Sequence, residues 1–308
     1  MAAAADIEDH VKATNGLQTA KDLTSGACGG IAQVLSGQPF DIVKVRLQTT
    51  TQYPSAISAA TSIFKNEGPL AFYKGTLTPL IGIGACVSVQ FGGFHQARRW
   101  FEARNKEATG KGGLSYLQYY YSGAIAGIAN SVISGPIEHV RIRLQTQPHG
   151  DKRLYNGPLD CARKMGKQAG GILPAIYRGE AVTIIREAQA YGMWFLSFEW
   201  MMNKHAERNK MPRDQIPAYM IAFYGGLAGE VLWLGSYPFD VVKSKMQTDG
   251  FGKQQVYKSM RDCFGQIWKK EGMGGFWKGI GPTLTRAMPV SAITFAVAEL
   301  SLRALNKL

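Results

Sequence analysis

Four charges sit where a charge is hardest to keep. Arg186, Glu187, Glu230 and Arg286 fall inside long apolar stretches of this 308-residue chain, and an ionised side chain at such a position is costly unless it faces water or a partner, so each is a functional candidate. Counting forward from the aromatic-basic-glycine triplets at 73–75, 177–179 and 277–279 brings Gly82, Arg186 and Arg286 to one depth of three equivalent segments. A guanidinium binds a carboxylate through two parallel hydrogen bonds, and Glu187 is a fixed anion for an ammonium. Arg286 and Glu187 together therefore have the chemistry to hold a zwitterion, with Arg186 neutralising Glu187 when nothing is bound. A structural ion pair between helices is the plainer alternative for Arg186 and Glu187. Glu230 precedes Trp233 by three residues, so a helix puts both on one face; it suits a second amino group, a coupled proton or helix packing.

A second set of charges recurs. PFDIVKVRLQ at 39–48 returns as PIEHVRIRLQ at 136–145 and as PFDVVKSKMQ at 238–247. An acid and a base follow each proline by two and five residues: Asp41 with Lys44, Glu138 with Arg141, Asp240 with Lys243. One such copy would be an ordinary i, i+3 pair on a solvated helix face. Three copies point elsewhere, because Pro39, Pro136 and Pro238 each remove a helical hydrogen bond and kink the chain. They predict three helices converging at one end, where the acid of one repeat pairs with the base of the next and Gln48, Gln145 and Gln247 brace the closure.

The elements that must position these groups are helical. A bilayer-crossing helix needs about twenty apolar residues, and 23–40, 75–97 and 112–137 approach or meet that length without Asp, Glu, Lys or Arg. The stretches 181–198, 216–239 and 279–298 qualify once Arg186, Glu187, Glu230 and Arg286 are accepted. Six spans put both termini on one side. The mean hydropathy of −0.11 is low for six lipid-bathed helices, but helices lining a water-filled cavity carry polar residues on one face. The prolines and the glycines Gly75, Gly179 and Gly279 recur roughly one hundred residues apart, the mark of an internal repeat. Gly26 and Gly30, Gly123 and Gly127, and Gly225 and Gly229 precede the prolines at fixed offsets, a spacing that lets helix backbones approach. A short amphipathic helix is predicted over 55–66. The connectors of the first and third repeats carry Glu67 and Glu271 before the triplet, whereas the second has Ala169, Gly170 and Gly171 there and loses one polar contact. The expected organisation is a polar tail at 1–20 and repeats at 21–110, 111–212 and 213–308, forming one all-α membrane domain around a central cavity.

Composition narrows the class. Charged residues are 19% of the chain, glycines number 36 and the net charge is +13. The bases lie between apolar segments and form no patch interleaved with aromatics, which speaks against nucleic acid. The four cysteines lack metal-site spacing. The five histidines are isolated and no hydrolase or phosphate-loop motif occurs, so neither an enzyme site, a metal nor a cofactor is indicated.

The triplicated order of proline, acid, two residues, base and then glutamine resembles the signature of the mitochondrial carrier family, over about residues 20–305. The resemblance implies six tilted helices and three short matrix helices, a salt-bridge gate on the matrix side, and alternating access around one central site in a functional monomer. It also implies the mitochondrial inner membrane with both termini toward the intermembrane space, and cardiolipin held at the even-helix ends marked by Gly75, Gly179 and Gly279. Gly82, Cys86 and Gln90 would line a first substrate contact point, Arg186 and Glu187 the second and Arg286 the third, with Trp233 facing the cavity. The Arg-Glu pair is similar to the amino-acid and carnitine branch, so an amino-acid antiporter is expected. The alternative is a carnitine or acylcarnitine carrier, for which small Gly82, Gly84 and Ala85 would leave room. A non-transporting regulator on the same scaffold is the alternative from another class. A second gate in this family uses an aromatic-acid-x-x-base pattern late in the even helices. At 94–98, 198–202 and 298–302 no copy keeps both charges, which predicts a weaker closure on that side.

Overall fold

The computed structural model describes residues 16–110, 112–148, 150 and 153–306; residues 1–15 of the expected polar tail lie outside them. The described residues form helices and no strand. Six are long: α1 (Gly16–Thr49), α3 (Leu77–Thr109), α4 (Tyr116–Thr146), α7 (Glu180–Asn209), α8 (Ala218–Thr248) and α10 (Ile280–Asn306). Between them lie the short α2 (Ala56–Glu67), α5 (Pro158–Ala169), α6 (Ile172–Ile176) and α9 (Met260–Gly275). Ser55 caps α2 by accepting a hydrogen bond from the amide of Ser58, which satisfies one of the donors a helix start leaves free.

The long helices run for 27 to 34 residues, well past the uncharged stretches. Pro39, Pro136 and Pro238 lie inside α1, α4 and α8, and each helix continues through the charges behind its proline. The reason is that those charges are paired inside the bundle, so nothing forces the helix to stop at them. By length and composition one described segment, Pro69–Ala108, is apolar enough to cross a membrane.

Around the bundle α3 packs along α4, α4 along α7, α7 along α8, and α10 along α1, while α1, α4 and α8 also meet one another. The short helices α2, α5 and α9 each seal the end of a proline-bearing helix: Ile63 against Ile42 and Leu47, Met165 against Val140 and Leu144, and Ile267 against Val241 and Met246. Ile63, Met165 and Ile267 are fully buried, and truncating such a side chain to Ala costs about 2–5 kcal/mol.

The three glycine pairs do not behave alike. Side chains at Gly123 and Gly127 would run into the backbone of α7 at Tyr191 and Glu187, so α4 and α7 touch there at backbone distance. Gly26, Gly225 and Gly229 have nothing within 4 Å of where a Cβ would stand. Close approach through glycine thus belongs to the second repeat, and the first and third keep open seams.

Gly75, Gly179 and Gly279 adopt φ of 76°, 83° and 83°, a left-handed region that side chains resist. At Gly279 a Cβ would also stand 2.9 Å from the carbonyl oxygen of Lys44. Gly279→Ala is therefore expected to lower the thermal unfolding temperature by several degrees, whereas Gly281→Ala, with open space around it, leaves it unchanged or slightly raised. A thiol-reactive dye reads this directly. Cys161 and Cys263 are fully buried, and burial pushes both thiols up to about 12, so they react only as the fold opens.

Candidate functional site: a charged cavity closed at one end

Where α1, α4 and α8 converge, three ion pairs join the repeats. Lys44 meets Asp240 at 2.6 Å and Arg141 meets Asp41 at 2.7 Å, and Lys243 pairs with Glu138. Each base reaches an acid of another repeat, so the pairs form a closed triangle. Gln48 donates to Asp240 at 2.9 Å. The other two glutamines do not brace an acid: Gln247 reaches Thr183 at 3.5 Å, and the amide nitrogen of Gln145 is buried without a partner. Two cations already occupy Asp41 and Glu138, leaving Asp240 as the acid with room for an amide. The stems of Gln145, Gln247 and Gln48 instead cover Gly75, Gly179 and Gly279. Gln38, absent from the sequence-derived set, accepts from Arg141 at 2.5 Å and donates to the Lys74 carbonyl at 2.7 Å.

Above the triangle is a cavity of about 400 Å³ lined by Gly82, Cys86, Arg186, Glu187, Trp233 and Arg286 as well as the triangle itself. Gln90 and Glu230 are half-buried and are not among its lining residues; the Oε2 atom of Glu230 is buried without a hydrogen-bond partner. The arginines are already engaged. Arg186 bonds Glu187 and also reaches Glu138 at 3.0 Å, while Arg286 bonds Asp41. Trp233 presents its ring to the Lys44 ammonium at 4.2 Å and to the Arg286 guanidinium at 5.6 Å, contacts that favour cations over an aromatic face. Two of the three triangle acids are therefore shared between a triangle base and a cavity arginine.

The room expected beside Gly82 is not there. A side chain at this position would collide with Ile137, which fills the space, and Gly84 and Ala85 are exposed and absent from the cavity lining. Sequence reasoning also missed lining residues, Asn130, Ser134 and Tyr191 among them. Their signal was available: Asn130 and Ser134 are polar, one turn apart and inside an uncharged span.

Next to the triangle, the connectors are tied down by further ion pairs. Glu67 accepts from Arg46 at 2.9 Å and from Lys74 at 2.6 Å, and Glu271 pairs with Lys245 and, at 2.6 Å, with Lys278. The second repeat has no equivalent acid, yet its base is not left alone. Asp249, just beyond α8, pairs with Arg178 at 2.6 Å and offers its carbonyl to Arg143 at 2.6 Å. A buried cation requires a partner, and here it comes from the neighbouring repeat. His139 is fully buried beside the triangle, with ring nitrogens 3.1 Å from the Ile176 carbonyl and 2.8 Å from that of Gln247.

At the opposite end Glu199 does find a base. Arg213, in the turn before α8, donates to it with two nitrogens, one at 2.8 Å. Arg98 pairs within its own helix with Glu102; the side chain of Glu299 lies outside the described residues. No pair there joins one even helix to another among the described ion pairs.

Comparison with known proteins agrees on one family. The family described as Mitochondrial carrier protein matches residues 15–105, 112–209 and 214–308. The chain is 47% identical to a glutamate/glycine mitochondrial carrier of Schizosaccharomyces pombe, over 92% of this chain and 93% of that protein. It is 45% identical to a mitochondrial glycine transporter of Saccharomyces cerevisiae, over 98% and 96%. A mitochondrial basic amino acids transporter of Homo sapiens is 36% identical over 92% and 90%.

The Glu67 contacts make a pH-dependent prediction. Burial alone would raise its carboxyl, but Arg46 and Lys74 outweigh that and hold it at about 2, against an ordinary 4.5. A carboxyl depressed on folding favours the folded state above pH 4.5, and the contribution fades as the pH falls from 4.5 toward 2. Glu67→Gln should unfold at a lower temperature than the unmodified protein at pH 7, and the difference should shrink as unfolding is followed down to pH 3.

Proposed function

Because the chain belongs to the mitochondrial carrier family, we propose that it exchanges an amino acid across the mitochondrial inner membrane by alternating access around the charged cavity. The observation that carries this reading is the sharing of Asp41 and Glu138 between triangle bases and cavity arginines. A zwitterion engages the pairs of both cavity arginines at once. Its carboxylate takes Arg286 from Asp41, and its ammonium takes Glu187 from Arg186. Each exchange changes what holds a triangle acid, so binding alters the strength of the closure on the matrix side. Filling the site and redistributing the bonds of that gate become one event, as alternating access requires. The gate comprises Asp41, Lys44, Glu138, Arg141, Asp240 and Lys243, with Gln48 bracing it.

The acylcarnitine alternative needs space that Ile137 occupies. The names of the relatives favour glycine, glutamate or a basic amino acid. Glycine and glutamate need no second cation site, whereas a basic amino acid needs a further acid, for which Glu230 lies beyond the cavity lining. The reading includes a monomer of three repeats, 21–110, 111–212 and 213–308, with both termini toward the intermembrane space, working as a transporter and not as an enzyme or a silent regulator. Cardiolipin is proposed at the ends of the even helices. A cleft of about 470 Å³ there is lined by Lys74, Gly75, Thr76, Arg153 and Gly157, where two helix starts meet two bases, a setting suited to phosphate.

Counter-exchange in cardiolipin-containing proteoliposomes tests the proposal. Purified protein loaded with unlabelled amino acid should take up labelled glycine or glutamate, and Arg286→Ala and Glu187→Gln should each reduce uptake to background while the unfolding temperature stays within a few degrees. Full activity in either variant moves the site elsewhere. No uptake of any amino acid by the unmodified protein ends the amino-acid reading.

A further inference from the structure

Two acceptors in the cavity wall have nothing to accept. The Oδ1 atom of Asn130 and the Oε2 atom of Glu187 are both buried without a hydrogen-bond partner, on residues 3% and 2% exposed that line the cavity. Buried polar atoms are nearly always paired, so two orphans on residues that line one cavity mark a place for a donor. They belong to one patch of the wall. Ser134 donates to the other Glu187 oxygen, Oε1, at 3.2 Å, and Asn130 precedes Ser134 by four residues on α4, one turn along the same face. Gly127, three residues before Asn130, lies against the Glu187 backbone. The contact between α4 and α7 thus brings an amide oxygen and a carboxylate oxygen into the same corner.

We propose that Asn130 is a specificity-determining residue which, together with Glu187, reads the N–H bonds of the substrate's ammonium group. A primary ammonium has three N–H donors. One satisfies Glu187 and a second satisfies Asn130, so charge and hydrogen bonding are answered together. A quaternary ammonium carries the same charge with no N–H at all, and it leaves the Asn130 oxygen buried and unpaired. The corner therefore separates amino acids from trimethylammonium compounds such as carnitine by donor count and not by size or charge. Asn130 does this without a charge of its own, which is why a search for intramembrane charges passes over it.

The inference rests on the amino-acid reading, and N-methylated competitors separate the two. In proteoliposomes exchanging labelled glycine or glutamate, whichever the unmodified protein takes up, the unlabelled substrate competes against its N-methyl, N,N-dimethyl and N,N,N-trimethyl forms. Competition is expected to weaken as N–H bonds are removed, with the trimethyl form about tenfold or more weaker than the parent. In Asn130→Leu the KM for the parent should rise about tenfold, with a smaller change in maximal rate, and the penalty for methylation should shrink. Asn130→Ser, smaller but still polar, should fall between the two. A trimethyl competitor as effective as the parent on the unmodified protein overturns the proposal, even if the variants do not fold. So does Asn130→Leu with an unaltered KM and methylation series. Failure of the unmodified protein to exchange any amino acid removes the premise, a result distinct from either.

Discussion

Six charges brought together inside a helical bundle are the constraint around which the rest of this molecule is arranged. Removing an ion from water costs several kcal/mol even after relaxation, on the order of 3–5 kcal/mol when a partner is missing, so Lys44, Arg141 and Lys243 require Asp240, Asp41 and Glu138 at bonding distance. That requirement fixes where α1, α4 and α8 meet. It also fixes what lies beside them. The neighbouring helices must begin tightly against the triangle, which is why Gly75 and Gly279 stand in left-handed conformations against the carbonyls of Arg141 and Lys44. The short helices α2, α5 and α9 pack apolar residues under the same ends, so the charged triangle is closed off from the side on which the connectors lie.

Threefold repetition supplies the frame, and the second repeat departs from it in a consistent direction. Its two long helices are pressed together through Gly123 and Gly127, its missing connector acid is replaced by Asp249 of the third repeat, and His139 is lodged between the carbonyls of Ile176 and Gln247. Each feature ties the second repeat either to itself or to the third. The seam between α1 and α3 and that between α8 and α10 are looser. Those two seams lie inside the first and third repeats, so one long helix moves more easily against the other there than within the second repeat, where tight packing favours movement as a unit.

The sequence carried the parts of this arrangement that repetition encodes. Fixed offsets from Pro39, Pro136 and Pro238 were enough to assign the six charges to one set and to divide the chain into helices, because a threefold frame turns equal spacing into equal depth. What spacing could not carry is contact between residues that share no offset. Asp249 meeting Arg178, Ile137 occupying the void beside Gly82, and Arg286 reaching Asp41 all depend on which faces adjoin after folding. Asn130 illustrates a different blindness: an uncharged side chain in an apolar stretch stands out only once its oxygen is known to lack a partner. The partner of Glu199 escaped for a similar reason, since Arg213 lies outside the aromatic-acid-x-x-base pattern.

The pairing of the cavity arginines has a consequence for the membrane as an insulator. A pore lined with unattached guanidinium groups would attract chloride and hydroxide and offer them a passage, dissipating the electrical gradient across the membrane. Arg186 and Arg286 are instead neutralised by acids of the protein itself. A small inorganic anion can approach one arginine but cannot also satisfy the acid it displaces. On the proposed function, only a solute bearing both signs of charge replaces what it removes, so the same ion pairs also keep the cavity electrically tight.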